Sequence, residues 1–432
     1  MLRDKFKNYV RDKLKKYVKD YFKAHQDVKL IAVGGSVGKT TTKMAIGTVL
    51  SADKRIRLEE NNHNTDFSAP LAILGVKYPE NVNSVMAWLR VFRACKKRIK
   101  NPSDIDVIIQ ELGTDHPGEM AYFASFLNPD YGVLTGISPE HMEFFGSLDN
   151  VAKEEMTILN MSKMGLINQD DVDARYANLL TNKNVKGYGM LSGVQYQLKI
   201  DSFDIQKGYS ASVIGPDGVN IAMDVNVFGR HSLKALAAAI TIAKEMNVPT
   251  EHIIQGVSRM HPVPGRMQPL RGYNDSILID DTYNASPVSI REALRFLYEE
   301  INSPQKIVIL GDMNEMGIES KKLHEDVGEL MDGNHIDWLV TVGELTRKYT
   351  APIAKERGVN VMSFDSALSA GAFAKSKIEK GAVVLVKGSQ NKIYTEEALK
   401  LMLHDIKDSQ KLVRQSESWL EKKAEFFKTQ SL

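Results

Sequence analysis

The sequence predicts an α/β fold in two successive domains, and three observations carry that prediction. Residues Ile31–Lys43, IAVGGSVGKTTTK, run from an apolar strand through a glycine-rich turn into a helix. Strand and helix patterns alternate from Asp27 onward, and they alternate again after a break at Pro264-Gly265-Arg266. Alternation of this kind implies parallel sheets covered on both faces. At 432 residues the chain is also too long for a single core.

The first 25 residues place Leu2, Phe6, Tyr9, Val10, Leu14, Tyr17, Val18, Tyr21 and Phe22 at helical spacing, with Lys and Arg on the opposite face. Such a helix can lie on an anionic membrane surface, or pack on the protein with its basic face in water. Its Asp residues dilute the charge and its tyrosines suit a protein contact, so packing is the favoured expectation. Asp104–Gln110 (DIDVIIQ) and Tyr131–Thr135 (YGVLT) then read as buried strands, the second announced by a Pro-Asp turn. Val185–Phe228 changes to short alternating segments and turns, a β-rich insertion, and His231–Met246 is a strong helix pattern. In the second domain Ser276–Ile279, Lys306–Leu310, Trp338–Val342 and Val383–Val386 are strand candidates separated by helical stretches. After Leu403 the chain reads as a charged, peripheral helix.

Composition narrows the class. A net charge of +2 gives no global electrostatic argument for nucleic acid. The one cysteine, Cys95, excludes an internal disulfide and a cysteine zinc site, and it fits a reducing cytoplasm. No apolar run approaches the roughly 20 residues of a membrane span.

The phosphate loop is the first chemical signal. Glycines let backbone N–H groups close on phosphate oxygens, and a helix N-terminus adds partial positive charge. Lys39 supplies a point charge and Thr40 a hydroxyl for Mg²⁺. Val33 stands where the full pattern has glycine, so this segment alone also fits a plain strand-to-helix turn. Glu111 follows an apolar strand, where α/β sheets place their ligands, and a lone carboxylate there suits Mg²⁺. His141, in Ser138-Pro-Glu-His141, follows the next strand and is a candidate second metal ligand, against the plainer reading of a surface or capping residue. Arg266 stands in Pro264-Gly265-Arg266-Met267, placed to stabilise charge on a transferred phosphate. Asp280-Asp281-Thr282-Tyr283-Asn284 ends a strand with two acids and an amide suited to ribose and phosphate contacts. An Asx-rich turn would account for Asn284 but not for the paired acids. Lys387-Gly388-Ser389 closes the last predicted strand, suited to gripping a carboxylate.

Together GSVGKTTTK, NNHNTDFSAPL, ELGTDHPGEM, SPEHMEFFGSLDNVAKEE, PVPGRMQ, DDTYNASP, LGDMNEMG and VKGS resemble the Mur ligases, most of all the MurF type, in order from about Lys29 to Lys400. Those enzymes join D-alanyl-D-alanine to a nucleotide-linked muramoyl tripeptide in peptidoglycan synthesis. The resemblance implies a P-loop central domain with a parallel sheet and a β-rich insertion, then a Rossmann-like C-terminal α/β domain. It implies ATP and Mg²⁺, phosphorylation of a carboxylate to an acyl phosphate, and attack by the incoming amine. Carried over, Gly35, Ser36, Gly38, Lys39, Thr40 and Thr41 hold the nucleotide phosphates, and Thr40, Glu111 and His141 hold metal. Arg266, Asp281 and Asn284 contact the nucleotide, and Asn62, Asn64, Lys387 and Ser389 line the substrate sites. Such a site is split between domains, so closure is expected for turnover. The expected divisions are a basic helix at 1–27, the central domain at 28–265, the C-terminal domain at 266–404 and a charged helix at 405–432.

The chain also departs from the family's pattern. Only residues 1–28 precede the phosphate strand, where MurF-type enzymes carry an N-terminal domain. That leaves room for a different acceptor, for a partner protein in place of that domain, or for a catalytically silent Mur-like subunit. The family's carbamoylated lysine, whose carbamate helps hold the second Mg²⁺, maps to Lys153 with a gap or to Glu155 without one; the ungapped match is favoured, and Glu155 would then be a metal ligand with a permanent carboxylate. Gly229-Arg-His-Ser232 lacks the family's two asparagines after the His, one of them near the adenine, and Ser68 replaces a glycine. The reading that follows is an ATP-dependent amide ligase acting on a cell-wall precursor, with a Mur-type ligase for another carboxylate as the alternative.

Overall fold

Lys29–Gly34 (KLIAVG) is apolar after its first residue, the signature of a strand covered on both faces. It is strand β1 of a computed structural model that describes residues 2–59, 64–314 and 316–430. The chain falls into two units: Met1–Ser202, Tyr209–Val225 and His231–Met260 form one, and Phe203–Gly208, Asn226–Arg230 and His261–Leu432 the other.

Around β1 the chain runs through α1 (Leu2–Ala24), α2 (Lys39–Leu50), β2 (Ile56–Leu58), α3 (Ser68–Leu74), α4 (Val85–Lys100), β3 (Val107–Glu111) and α5 (Glu119–Ala124). It continues with β4 (Tyr131–Leu134), α6 (Met142–Phe145), α7 (Leu148–Glu155), α8 (Thr157–Asn160), β5 (Met164–Asn168) and β6 (Val185–Gly189). Then come β7 (Tyr196–Asp204), β8 (Gly208–Ile214), β9 (Asn220–Val225), α9 (Arg230–Glu245) and α10 (Thr250–Val257). All nine strands share one sheet in the order β2-β3-β1-β4-β5-β6-β7-β8-β9. β1 lies parallel between β3 and β4, with Val33 opposite Glu111 and Gly34 opposite Leu134. The ends of three neighbouring strands therefore deliver the phosphate loop, Glu111 and Thr135 to one sheet edge.

The β-rich stretch expected as an insertion extends this same sheet: β6 is parallel to β5, and β8 and β9 form an antiparallel pair beyond it. In β9 buried and exposed residues alternate strictly, as in a strand with one wet face. That pattern is the same for a separate β module and for the margin of a larger sheet.

Helix α1 buries Val10, Leu14, Val18 and Tyr21 and packs on α3 and α4, with Tyr17 and Phe92 ring centroids 5.8 Å apart. Its apolar stripe belongs to the core, which supports the packing expectation over the membrane one. Among the described residues no helix is long and apolar enough to cross a membrane.

The second unit contains β10 (Gln268–Arg271), β11 (Ile277–Asp281), α11 (Pro287–Glu299), β12 (Lys306–Gly311), α12 (Ser320–Glu329) and β13 (Trp338–Val342). These are followed by α13 (Ala351–Glu356), β14 (Asn360–Phe364), α14 (Ala367–Lys377), β15 (Val383–Lys387), α15 (Glu396–Met402) and α16 (Glu417–Gln430). Its sheet runs β10-β11-β15-β12-β13-β14, parallel except for the antiparallel edge strand β10. Val383 and Leu385 join one apolar cluster with Ile290 and Leu294, while Val384 and Val386 join another with Ala370 and Leu399. Successive strand residues point to opposite faces, so helices cover both sides of this sheet.

Candidate active site

The geometry around the phosphate loop begins with Gly35. Its φ of 123° suits glycine, and a Cβ there would stand 2.4 Å from Thr135 Oγ1. Thr135 in turn donates to Val37 O at 2.6 Å and to Gly34 O at 3.0 Å, pinning the loop to the end of β4. Ser36 Oγ accepts from Ser138 N at 3.0 Å. Gly38, at φ 83°, occupies the N-cap of α2 without a side-chain cap, so the first helical N–H groups face the loop. An uncapped helix start inside a glycine loop is what an anion site requires.

Lys39 folds over that loop, donating to Gly35 O at 2.6 Å and Ser36 O at 3.2 Å, with Glu140 3.6 Å away. Thr40 Oγ1 donates to Glu111 Oε2 at 3.1 Å, and Thr41 is buried behind it. Lys43, one turn further along α2 and itself buried, stands 3.4 Å from the same carboxylate and donates to Glu59 O at 2.9 Å. Lys43 is the last residue of the GSVGKTTTK motif, which assigns it no task. Its spacing from Lys39 on one helix face was the available signal.

Glu155 and Lys153 part company here. Glu155 is buried under the loop, where Oε2 accepts from Gly35 N at 2.7 Å and Oε1 accepts from Thr114 Oγ1 at 3.2 Å. Burial pushes its pKa up to about 7, opposed by the nearby Lys39. Lys153 is exposed on α7. Their neighbour Glu154, unremarked in the sequence, accepts from Gly118 N at 2.9 Å and Met120 N at 2.6 Å, capping α5.

His141 adopts φ 50°, with Nε2 3.3 Å from Asp115 Oδ1. Asn64 O accepts from Gly113 N at 3.1 Å, next to Glu111. Asn62 lies outside the described residues. Among the described residues no three His, Cys, Asp or Glu side chains stand together as a metal cluster. Mg²⁺ does not need one, since it keeps water and substrate phosphate oxygens and takes one or two protein ligands. The Thr40 hydroxyl against the Glu111 carboxylate, beside the phosphate loop, is a donor set that fits it.

In the second unit β11 and β15 place Asp281 directly opposite Lys387. Lys387 Nζ lies 2.5 Å from Asp281 Oδ2 and donates to Asn284 O at 3.0 Å, so three predicted residues form one buried knot. Burial lowers the Lys387 pKa, and Asp281 resists that. Asp280 faces inward, accepting from Thr282 Oγ1 at 2.6 Å, Thr282 N at 3.1 Å and Gly265 N at 3.2 Å. Of the paired acids it is the one that shapes the loop, and burial pushes its pKa up to about 6. The Arg266 guanidinium stacks 4.2 Å over the Tyr283 ring. Ser389 is buried, its Oγ accepting from Asn314 N at 2.9 Å.

The description "Mur ligase middle domain" matches residues 33–243, and "Mur ligase, glutamate ligase domain" matches residues 265–390. The chain belongs to the Mur ligase family. A UDP-N-acetylmuramoyl-tripeptide–D-alanyl-D-alanine ligase of Bacillus subtilis is 26% identical over 318 residues, 73% of this chain and 63% of the relative. The match therefore spans less than two thirds of that relative's length. Among solved structures of this Mur fold, MurF ligase from Thermotoga maritima in complex with ADP aligns with a TM-score of 0.72 at 22% identity, covering 92% of this chain and 84% of the other. A pseudomurein peptide ligase type C from Methanothermus fervidus aligns with a TM-score of 0.62 at 18% identity, covering 86% and 78%. These likenesses establish the Mur ligase fold for both units.

Proposed function

We propose that this Mur ligase is an ATP-dependent amide-forming enzyme that adds D-alanyl-D-alanine to a muramoyl-peptide precursor in the cytoplasm. The observation that carries the reading is Thr40 bonded to Glu111 beside Lys39 and an uncapped helix start. A merely structural turn has no use for that set.

The γ-phosphoryl group of ATP passes to the acceptor carboxylate, ADP leaves, and the amine nitrogen then attacks the acyl carbon. The nitrogen loses its proton and phosphate leaves with the C–O bonding pair. The loop N–H groups and Lys39 bind the nucleotide phosphates, and Lys39 exchanges its bonds to Gly35 O and Ser36 O for phosphate oxygens. Thr40 and Glu111 would hold Mg²⁺, which would supply positive charge to those oxygens. Lys43 keeps Glu111 oriented, and Glu155 holds the Gly35 amide in place. Its buried carboxylate makes Glu155, rather than exposed Lys153, the residue we assign beneath the loop, while His141 stays the candidate second ligand. Arg266, Asp281 and Asn284 take nucleotide contacts. Lys387 and Ser389 serve the incoming dipeptide, with two of the three ammonium donors of Lys387 used by Asp281 and Asn284.

A Mur-type ligase for another carboxylate is the second reading, favoured by the fold shared with a pseudomurein ligase. Phosphate release with Mg²⁺-ATP, UDP-muramoyl tripeptide and D-alanyl-D-alanine, each omitted in turn, separates the two. Release that needs all three, with a product heavier by one dipeptide less water, establishes the first. Nucleotide binding without turnover points to the second. Wherever turnover is found, Lys39→Ala should abolish it with the fold intact, and full turnover in that variant overturns the loop assignment.

A further inference from the structure

Both domain matches end before residue 391, yet the chain after that point reaches back to the Asp281–Asn284 loop. Glu396, in the first turn of α15, is completely buried and meets two cations from further along the chain. Arg414 Nε donates to its Oε1 at 2.8 Å and Nη2 to its Oε2 at 2.7 Å, while Lys423 of α16 stands 3.4 Å from Oε1 and also pairs with Glu397. The same guanidinium continues past Glu396 to the loop. Nη2 donates to Thr282 O at 2.7 Å and Nη1 to Tyr283 O at 3.1 Å.

Three details show that the approach is specific. Arg414 sits at φ 55°, a left-handed backbone that a non-glycine residue holds only where its surroundings insist. Gly265, at φ 69°, faces the adjacent Val413, whose Cγ1 would lie 2.7 Å from a Cβ placed there. Gly265 O in turn accepts from Tyr283 N at 3.1 Å, and Tyr283 carries Arg266 on its ring. The loop is thus gripped from two directions. Lys387 holds Asp281 and the Asn284 carbonyl, and Arg414 holds the two carbonyls between them.

We infer that Arg414 is a positioning residue: anchored on Glu396, it fixes the Thr282 and Tyr283 carbonyls and so presents Asp281, Tyr283 and Asn284 to the nucleotide. Lysine can substitute only in part, because the planar fork makes bonds in two directions that a single ammonium cannot make together. The nucleotide part of this inference rests on the proposed ligase reading, and the positioning part does not.

The test compares Arg414→Met, Arg414→Lys and Lys423→Met in the full chain. Lys423→Met disturbs the same Glu396 cluster without touching the loop, and so controls for a general loss of stability. Hydrogen exchange at residues 282–285 should rise about tenfold in Arg414→Met and stay at the wild-type rate in Lys423→Met. The KM for ATP should rise about tenfold in Arg414→Met, partly recover in Arg414→Lys, and stay unchanged in Lys423→Met. Wild-type exchange at the loop in Arg414→Met, or equal effects of Arg414→Met and Lys423→Met, overturns the inference. If the wild-type chain neither binds nor turns over ATP, the ligase reading fails, and the exchange data still decide the positioning role.

Discussion

Replacing Lys387 by methionine leaves Asp281 buried opposite an apolar chain. The pair is 2.5 Å apart with side chains 3% and 7% exposed, so water cannot take over the role of the ammonium. Removing one partner of such a pair typically costs about 3–5 kcal/mol. An independent bound comes from Asp281 itself, which can escape the cost by taking up a proton. Protonation at pH 7, about three units above an ordinary aspartate, costs about 4 kcal/mol, so the loss should saturate near that figure. Adding Asp281→Asn should recover about 2–3 kcal/mol at pH 7, because a neutral amide has no ion to strand. Urea unfolding in a Trp88→Phe background reads this cleanly, since Trp338 and Trp419 both belong to the second unit. A loss below about 1 kcal/mol at pH 7, or no recovery on adding Asp281→Asn, refutes the reasoning.

Two further outcomes follow from buried carboxylates. Asp280, pushed up to about 6, binds its proton more tightly folded than unfolded, so the second unit should lose about 3 kcal/mol as pH rises from 4 to 6. Asp280→Asn should flatten that slope in the same urea titrations. Glu155→Ala orphans the Gly35 amide and should cost about 1–3 kcal/mol of first-unit stability and weaken ADP binding by calorimetry, while Lys153→Ala leaves both within error. The opposite order, with bicarbonate restoring activity, would favour a carbamoylated Lys153.

Much of the fold was legible because burial on both faces leaves an unbroken apolar run. Trp338–Val342 forms the strand at the residues expected, and the strand ending at Glu111 puts that carboxylate at the sheet edge. Strand β14, NVMSF, escaped notice because it is an edge strand whose residues are exposed or half-buried. The motifs singled out Lys39, Thr40 and Glu111, and the structure sets Lys39 over the phosphate loop and Thr40 against Glu111. They pointed to Asp281 alone for the nucleotide and gave Asp280 no separate task, because adjacent strand residues face opposite ways and pattern alone does not say which way is in. Nor did they reveal Lys43, Glu154 or Arg414. Arg414 acts through a contact 131 or 132 residues distant in sequence, and in the chain it reads as one more cation in a charged tail.

Cys95 has a practical consequence. It is the chain's single cysteine, fully buried beneath α1, with its thiol pushed up to about 12 by burial. A thiol held that far from ionisation is inert to maleimide chemistry at neutral pH. The native chain is therefore already a blank background for site-specific labelling. Cysteines placed at exposed Lys100 in the first unit and Ile318 in the second would be the two reactive thiols available. A donor and acceptor dye at those points would read the separation of the two units in solution, with and without nucleotide, without first engineering a cysteine away.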